Sequence, residues 1–245
     1  VDGYLFSLKR WYIKAITPLS GLNSFKFIAK DLLTDSISSI NKVIMNFLSI
    51  NCGTELGSLF IKVKNKVFIK ILQSDKYNND LLMKKILDFL VENNLNFDDI
   101  SKIFVNQGPG SFSALRGSLA IAKGISISKN LDVFGYNTFV WSSSKFFNKE
   151  DSIYSIIRVR EKYFMKKFEK KLSNISQVKE ISEEEIVTKY YNKFKVVPDY
   201  MEKYFTKKVL ELENLHIANL DHNELESLQL KGLLNKDLIK PLYLS

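Results

Sequence analysis

The sequence predicts a two-lobed α/β protein, each lobe a mixed β-sheet with flanking helices. Three observations carry this. Three β-rich runs are followed by alternating helical and strand-like segments, in the order β-β-β-α-β-α-β. A Gly-Pro-Gly turn at 108–110 links an apolar strand to a helix. From about Asp151 a second, smaller and less regular set of β-rich runs begins. With 245 residues, 45% of them hydrophobic, and a mean hydropathy of -0.09, the chain can bury a sizeable core in one domain or two small ones.

Phe47–Asn51 reads as a short strand. Ser58–Lys64 and Val67–Gln73 are β-rich runs, read as a hairpin that turns at Asn65-Lys66. Asn79–Glu92 is helical, Lys102–Asn106 a strand, Phe112–Ser128 a helix and Asp132–Gly135 another strand. Antiparallel strands come first and parallel pairing follows. In the second half, Ile153–Val159 and Lys162–Phe168 form a hairpin. Ser182-Glu183-Glu184-Glu185 is a capping box ahead of a helix through Tyr191. Asp221 or Asn223 caps a further helix to about Leu234, and Ser142-Ser143-Ser144 is the expected joint between the halves. No internal repeat is visible.

Residues 108–124 are the most informative stretch. The run Ile103-Phe104-Val105 ahead of them is a buried strand, and Ser111 is a good N-cap for the helix that follows. Such a strand–turn–helix connection aims backbone N–H groups above the strand ends and can receive a phosphate or carboxylate. It also serves as a tight connection that binds nothing, and both readings stay open. It is neither a Walker loop, lacking Gly-Lys-Ser/Thr, nor a dinucleotide fingerprint, since the glycine spacing differs. Gly110 is expected to need a positive φ or a close backbone approach.

Gly108-Pro109-Gly110-Ser111-Phe112-Ser113-Ala114-Leu115-Arg116-Gly117, with Ala122-Lys123-Gly124, closely resembles the GPGSFTGLRIG…AKGLA signature of the TsaB (YeaZ) family. Met45–Thr54 resembles that family's opening strand, Gly135-Tyr136-Asn137-Thr138 its G-V-S-T, and Pro241-Leu242-Tyr243-Leu244 its closing P-x-Y-L-R. The resemblance implies the actin/sugar-kinase/Hsp70-like fold, with ligands in the cleft between the lobes. It implies a non-catalytic, cytoplasmic scaffold for threonylcarbamoyladenosine modification next to the tRNA anticodon. That scaffold pairs with the TsaD transferase, helps recruit the TsaE ATPase and meets tRNA indirectly. Whether the chain homodimerises alone stays open. TsaB proteins meet TsaD through two helices, which here implicates Leu82, Ile86, Phe89, Ala114, Gly117 and Leu119. Gly108, Gly110 and Ser111 are then a vestigial phosphate turn. The expected domains are a 1–44 extension without family match, an N-terminal lobe at 45–148 and a smaller lobe at 149–245. Residues 1–44 are either a real extension or the product of a start assigned too early; a functional start at Met45 is favoured.

The residues argue against chemistry. The superfamily's kinases and ATPases keep an aspartate on the first strand, where this chain has Asn51, and an amide lacks the charge a magnesium site prefers. Arg158 stands where many relatives carry the aspartate of an I-D-A-R segment, and Arg160 matches its arginine. His216 and His222, the only histidines, are not spaced for one helix face, so no metal site is implied, and no cofactor either. The alternatives are an active small kinase or acyltransferase of the same superfamily, or a direct RNA-binding module. The formal charge of +9 permits the latter. However, only four arginines are present and the lysines are scattered among Asn, Ile and Phe, as in AT-rich coding. Cys52 is the single cysteine, so no internal disulfide forms, and no window has the length of a membrane span.

Overall fold

The computed structural model describes residues 45–72, 81–169, 176–236 and 239–244. The expectations for residues 1–44, Gln73, Asn79 and Asp80 lie outside the described residues.

The first sheet is built from β1 (Phe47–Asn51), β2 (Gly57–Val63), β3 (Lys66–Leu72), β4 (Lys102–Asn106) and β5 (Asp132–Tyr136), in the order β3-β2-β1-β4-β5. β1 pairs antiparallel with β2 and β2 with β3, whereas β1–β4 and β4–β5 are parallel. The hairpin register sets Val63 opposite Lys66, so the turn is Lys64-Asn65, one residue earlier than the sequence suggested. Lys64 takes the left-handed conformation there, with φ 55, the geometry such tight hairpins require.

Two helices cross one face of this sheet. α1 (Leu82–Glu92) buries Leu82, Ile86, Phe89 and Leu90, a single stripe at helical spacing. α2 (Phe112–Lys129) buries Ala114, Leu115, Ser118, Leu119, Ala122 and Ile125 and ends on left-handed Asn130. Both pack on Leu48, Ile50, Leu59, Ile61, Ile103 and Val105. The opposite face carries an aromatic row, Phe60–Phe47–Phe104–Phe134, with centroid separations of 5.5, 4.9 and 5.9 Å. That face joins the second core, so both sides of β1 are buried.

The second sheet comprises β6 (Ser152–Val159), β7 (Lys162–Glu169), β8 (Lys179–Ile181), β9 (Lys195–Pro198) and β10 (Leu215–Ala218), in the order β10-β9-β6-β7-β8. β6–β7 and β7–β8 are antiparallel, and β6–β9 and β9–β10 parallel. Read from its other edge, this is the pairing pattern of the first sheet, a repeat that the sequence does not display. The Ser182 capping box forms, its hydroxyl accepting from Glu185 N–H at 3.0 Å and the Glu185 carboxylate from Ser182 N–H at 3.0 Å. The helix it opens, α4 (Glu183–Val187), stops short of Tyr191.

The expected joint is not a loop. Ser142 and Ser143 are buried in a helix, α3 (Thr138–Ser143), capped by the Asn137 side chain. A short helix α5 (Lys207–Leu210) precedes β10, and α6 (Glu224–Leu230) lies across the first sheet. Leu225 and Leu228 of α6 enter the shared core, Glu226 pairs with Lys62, and Gln229 accepts from Lys102 at 3.1 Å. The C-terminal tail then returns to the first lobe. Asn235 bridges Gly135, Leu242 N–H donates to Gln107 O at 2.7 Å, and Tyr243 stacks on Phe112 at 5.1 Å.

Candidate functional site

β1 and β4 run parallel and end side by side on Asn51 and Asn106, where the chain leaves the sheet toward the second lobe. Asn51 is saturated. Its Oδ1 accepts from Gly53 N–H at 3.2 Å and Asn106 Nδ2 at 2.9 Å, and its Nδ2 donates to Thr54 Oγ1 at 2.7 Å and Ser58 Oγ at 3.3 Å. Asn106 Oδ1 accepts from Gly108 N–H at 2.7 Å. The Asn51 side chain therefore organises the two turns at the strand ends, with both of its Oδ1 lone pairs engaged.

Gly108 has φ +107, a conformation that L side chains rarely adopt. Gly110 meets the other expectation, close approach: a Cβ there would lie 2.5 Å from Gly53 O. The two glycine turns thus close on each other, backbone to backbone. Ser111 occupies the N-cap position, and its carbonyl accepts from Leu115 N–H at 2.9 Å. Its hydroxyl does not cap the helix but turns toward Ser113 Oγ at 3.4 Å. The sequence correctly located the helix start but not that rotamer.

These turns floor a cleft of about 310 Å³ between the lobes, lined by Cys52, Thr54, Gly110, Ala114, Arg158, Arg160, Tyr200 and Tyr204 among others. At its mouth Glu55 accepts from Lys203 Nζ at 2.8 Å and Tyr204 OH at 3.0 Å. The Lys203 hydrogen bond foremost holds the Glu55 carboxyl below its ordinary range. Burial pushes the Cys52 thiol up to about 12, which removes it as a thiolate nucleophile near neutrality.

The histidines are placed apart. His216 is on β10, stacked on Phe194 at 4.2 Å. His222 precedes α6 and is buried at the lobe junction, stacked on Phe60 at 4.8 Å and tilted against Trp141 at 4.8 Å. Its Nδ1 is 3.0 Å from Ser49 Oγ and its Nε2 3.0 Å from Ser58 Oγ. Burial lowers its pKa to about 4, so it is neutral at pH 7. Ser58 carries this network on to Asn51. Among the described residues no group of three or more His, Cys, Asp or Glu could hold a metal ion.

The residues expected to meet a partner are corrected by burial. Leu82, Ile86, Phe89, Ala114 and Leu119 are all part of the chain's own first core, and only Gly117 is half-exposed. The outward faces of the same helices present Leu81, Leu87, Val91, Phe112 and Ile127, the last 84% exposed, and a Cβ on Gly124 would meet nothing within 4 Å. Sequence periodicity identified the helices; a helix apolar over more than one stripe did not show which stripe faces out.

The fold, two mixed sheets with flanking helices around a cleft, is of the actin/sugar-kinase/Hsp70 type. Two solved structures from Pseudomonas aeruginosa share it. One is YeaZ, at 13% identity and TM-score 0.59, and the other a protein similar to peptidase YeaZ, at 12% and 0.61; each is covered over 100% of its length by 82% of this chain. The family model for TsaD, tRNA N6-adenosine threonylcarbamoyltransferase, matches residues 73–185. The tRNA threonylcarbamoyladenosine biosynthesis protein TsaB of Buchnera aphidicola subsp. Baizongia pistaciae is 28% identical over 123 residues, 49% of this chain. That match spans 55% of the relative, about half its length. The family model and the Buchnera relative support a TsaB/YeaZ family assignment, and the Pseudomonas structures support the fold.

Proposed function

We propose that the chain is a non-catalytic scaffold subunit of the cytoplasmic machinery that makes threonylcarbamoyladenosine in tRNA, pairing with a TsaD-like transferase and helping to recruit a TsaE-like ATPase. The resemblance to TsaB supplies the pathway. The observation that carries the scaffold reading is the outward faces of α1 and α2, where Leu87 and Val91 of α1 and Ile127 of α2 stand exposed, with the small, open Gly124 one turn before Ile127. Small residues between exposed aliphatics let a partner helix approach closely and be desolvated. A role without chemistry is supported by the saturated Asn51 amide and by Arg158 in place of a second acid.

Ile127→Glu and Gly124→Glu test this. Each puts a charge on an exposed position, so folding should survive, while burial of the unpaired charge in the interface should cost about 3–5 kcal/mol of binding. Co-purification with the TsaD-like protein and threonylcarbamoyladenosine in tRNA should both fall. Leu119→Glu, inside the core, should instead unfold the chain. Parental TsaD binding by both folded surface variants would refute this interface, and absence of binding by the parent would refute the scaffold reading.

A further inference from the structure

Away from the outward faces of α1 and α2, a second row of apolar side chains stands in solvent. Among the described residues β3 is the edge of the first sheet, paired on one side only, with β2. Along it Val67, Ile69 and Ile71 are 48, 59 and 54% exposed. The alternate positions turn to α1: Phe68 packs on the first core, and Lys70 donates to both Glu92 carboxylate oxygens at 2.7 and 2.8 Å. The backbone follows the same alternation. The tight Lys64-Asn65 turn makes Val63 and Lys66 a hydrogen-bonded pair. Counting on from there, Val67, Ile69 and Ile71 fall at the non-hydrogen-bonded sites opposite Lys62, Phe60 and Ser58. Their N–H and C=O groups therefore point away from β2, toward the open edge. The residues with exposed β-branched side chains are the same ones whose backbone groups await a strand. Edge strands are ordinarily blunted by a charge, a proline or a bulge, and these three positions carry none.

We propose that two copies of the chain join along β3, antiparallel about a two-fold axis through Ile69, so that their first sheets become continuous. The lysines select both the occupant and the register. Outward-pointing residues must meet outward-pointing residues. An axis through Phe68 would oppose Lys66 to Lys70 of the second copy, and an axis through Lys70 would oppose Lys70 to itself; like charges directly opposite are destabilising. Axes nearer either end of the strand shorten the overlap. The axis through Ile69 opposes Ile69 to itself, Val67 to Ile71, Phe68 to Lys70 and Lys66 to Leu72, so each lysine meets an apolar residue. Val67, Ile69 and Ile71 then exchange backbone hydrogen bonds with Ile71, Ile69 and Val67 of the second copy, and their side chains form one β-branched row. The two Lys70 charges come near each other on the diagonal, but each is already neutralised by Glu92. The two-fold contact is isologous and closed, so it ends at a dimer. The inference does not rest on the scaffold reading or on the α1 and α2 surface.

Sedimentation equilibrium of the full chain tests it. The parent should dimerise with a Kd on the order of 10 µM, the weak end expected of a strand-edge contact. Ile69→Lys, at an exposed position where folding should survive, sets two lysines across the axis and should raise Kd about tenfold or more. Ile127→Glu, on the outward face of α2, should leave Kd unchanged. Ile69→Cys should form a disulfide-linked dimer on oxidation, because facing hydrogen-bonded residues lie about 5.5 Å apart at Cα, within disulfide reach. Ile71→Cys should not, since the two copies of that residue stand about 13 Å apart along the ladder. Cys52 is buried and adds no cross-link of its own. A full chain still monomeric at about 200 µM, as when another of its segments covers this edge, would overturn the proposal. So would a dimer lost in Ile127→Glu but kept in Ile69→Lys, or cross-linking of Ile71→Cys as readily as Ile69→Cys.

Discussion

The two lobes use one pairing pattern and differ in what crosses it. In each, three antiparallel strands are followed by two parallel ones, in the orders β3-β2-β1-β4-β5 and β8-β7-β6-β9-β10. The parallel crossovers of the first lobe are helices of 11 and 18 residues. Those of the second are helices of 5 and 4 residues with a 3-10 turn at Asp199–Tyr204. Long crossovers cover a sheet face with apolar side chains and leave an outer face for a partner. Short ones cannot, and the second lobe uses polar staples in their place. Its fourth strand opens on Lys195, fully buried, whose ammonium donates to the carbonyls of Tyr190, Tyr191, Lys193 and Glu213 at 3.0, 2.7, 2.7 and 3.2 Å. The fourth strand of the first lobe also opens on a lysine, but Lys102 is half-exposed and, among the described residues, its ammonium meets Gln229 and the Phe134 ring.

Lys195→Met gives the sharpest contrast. It removes the shared donor of four carbonyls, one buried and three half-buried, and should cost about 1–3 kcal/mol, whereas Lys102→Met should stay within about 1 kcal/mol. Burial lowers the Lys195 pKa to about 8, while its four acceptors favour the ammonium at neutrality. Equal urea midpoints for the two variants would break the idea that the second lobe depends on polar staples.

Gly110→Val probes the first lobe's own weak point. The new Cβ would lie 2.5 Å from Gly53 O, a backbone contact that cannot yield cheaply, and should cost about 3 kcal/mol. A midpoint matching the parent would mean that the two turns are not locked together.

The junction between the lobes should respond to pH. His222 has a folded pKa of about 4 against an ordinary 6.5, so below 6.5 the unfolded chain binds a proton that the folded one refuses. The stability this histidine confers is complete above about pH 6.5 and declines as pH falls toward 4, by up to about 3 kcal/mol. His222→Gln should flatten that part of the stability–pH curve. An unchanged slope would place the titration elsewhere. Charge variants at Ile127, by contrast, should leave stability nearly untouched and act on binding alone.

The sequence by itself determined what local pattern can encode. Apolar and β-rich runs gave the strands of the first lobe and the β6–β7 hairpin, the Gly-Pro-Gly turn with Ser111 gave the start of α2, and the Ser182 box gave the start of α4. The Gly-Pro-Gly turn marked where the first lobe meets the cleft, because a positive φ and a backbone contact admit few other residues. That Asn51 and Arg158 carry no acid was equally legible. What only the tertiary structure decided depends on residues distant in the chain. Ser142 and Ser143 read as a linker but are buried in α3, since long-range packing overrides a weak local propensity. Leu82, Phe89 and Leu119 read as partner contacts but face their own sheet, because a sequence gives a helix's stripes without giving their direction. Lys195 and His222 carry no signal in their surroundings. Three of the Lys195 acceptors, Tyr190, Tyr191 and Lys193, lie within five residues of it, but Glu213 arrives only when β10 pairs with β9, and the His222 partners Ser49 and Trp141 only when the chain lays α6 across the first sheet.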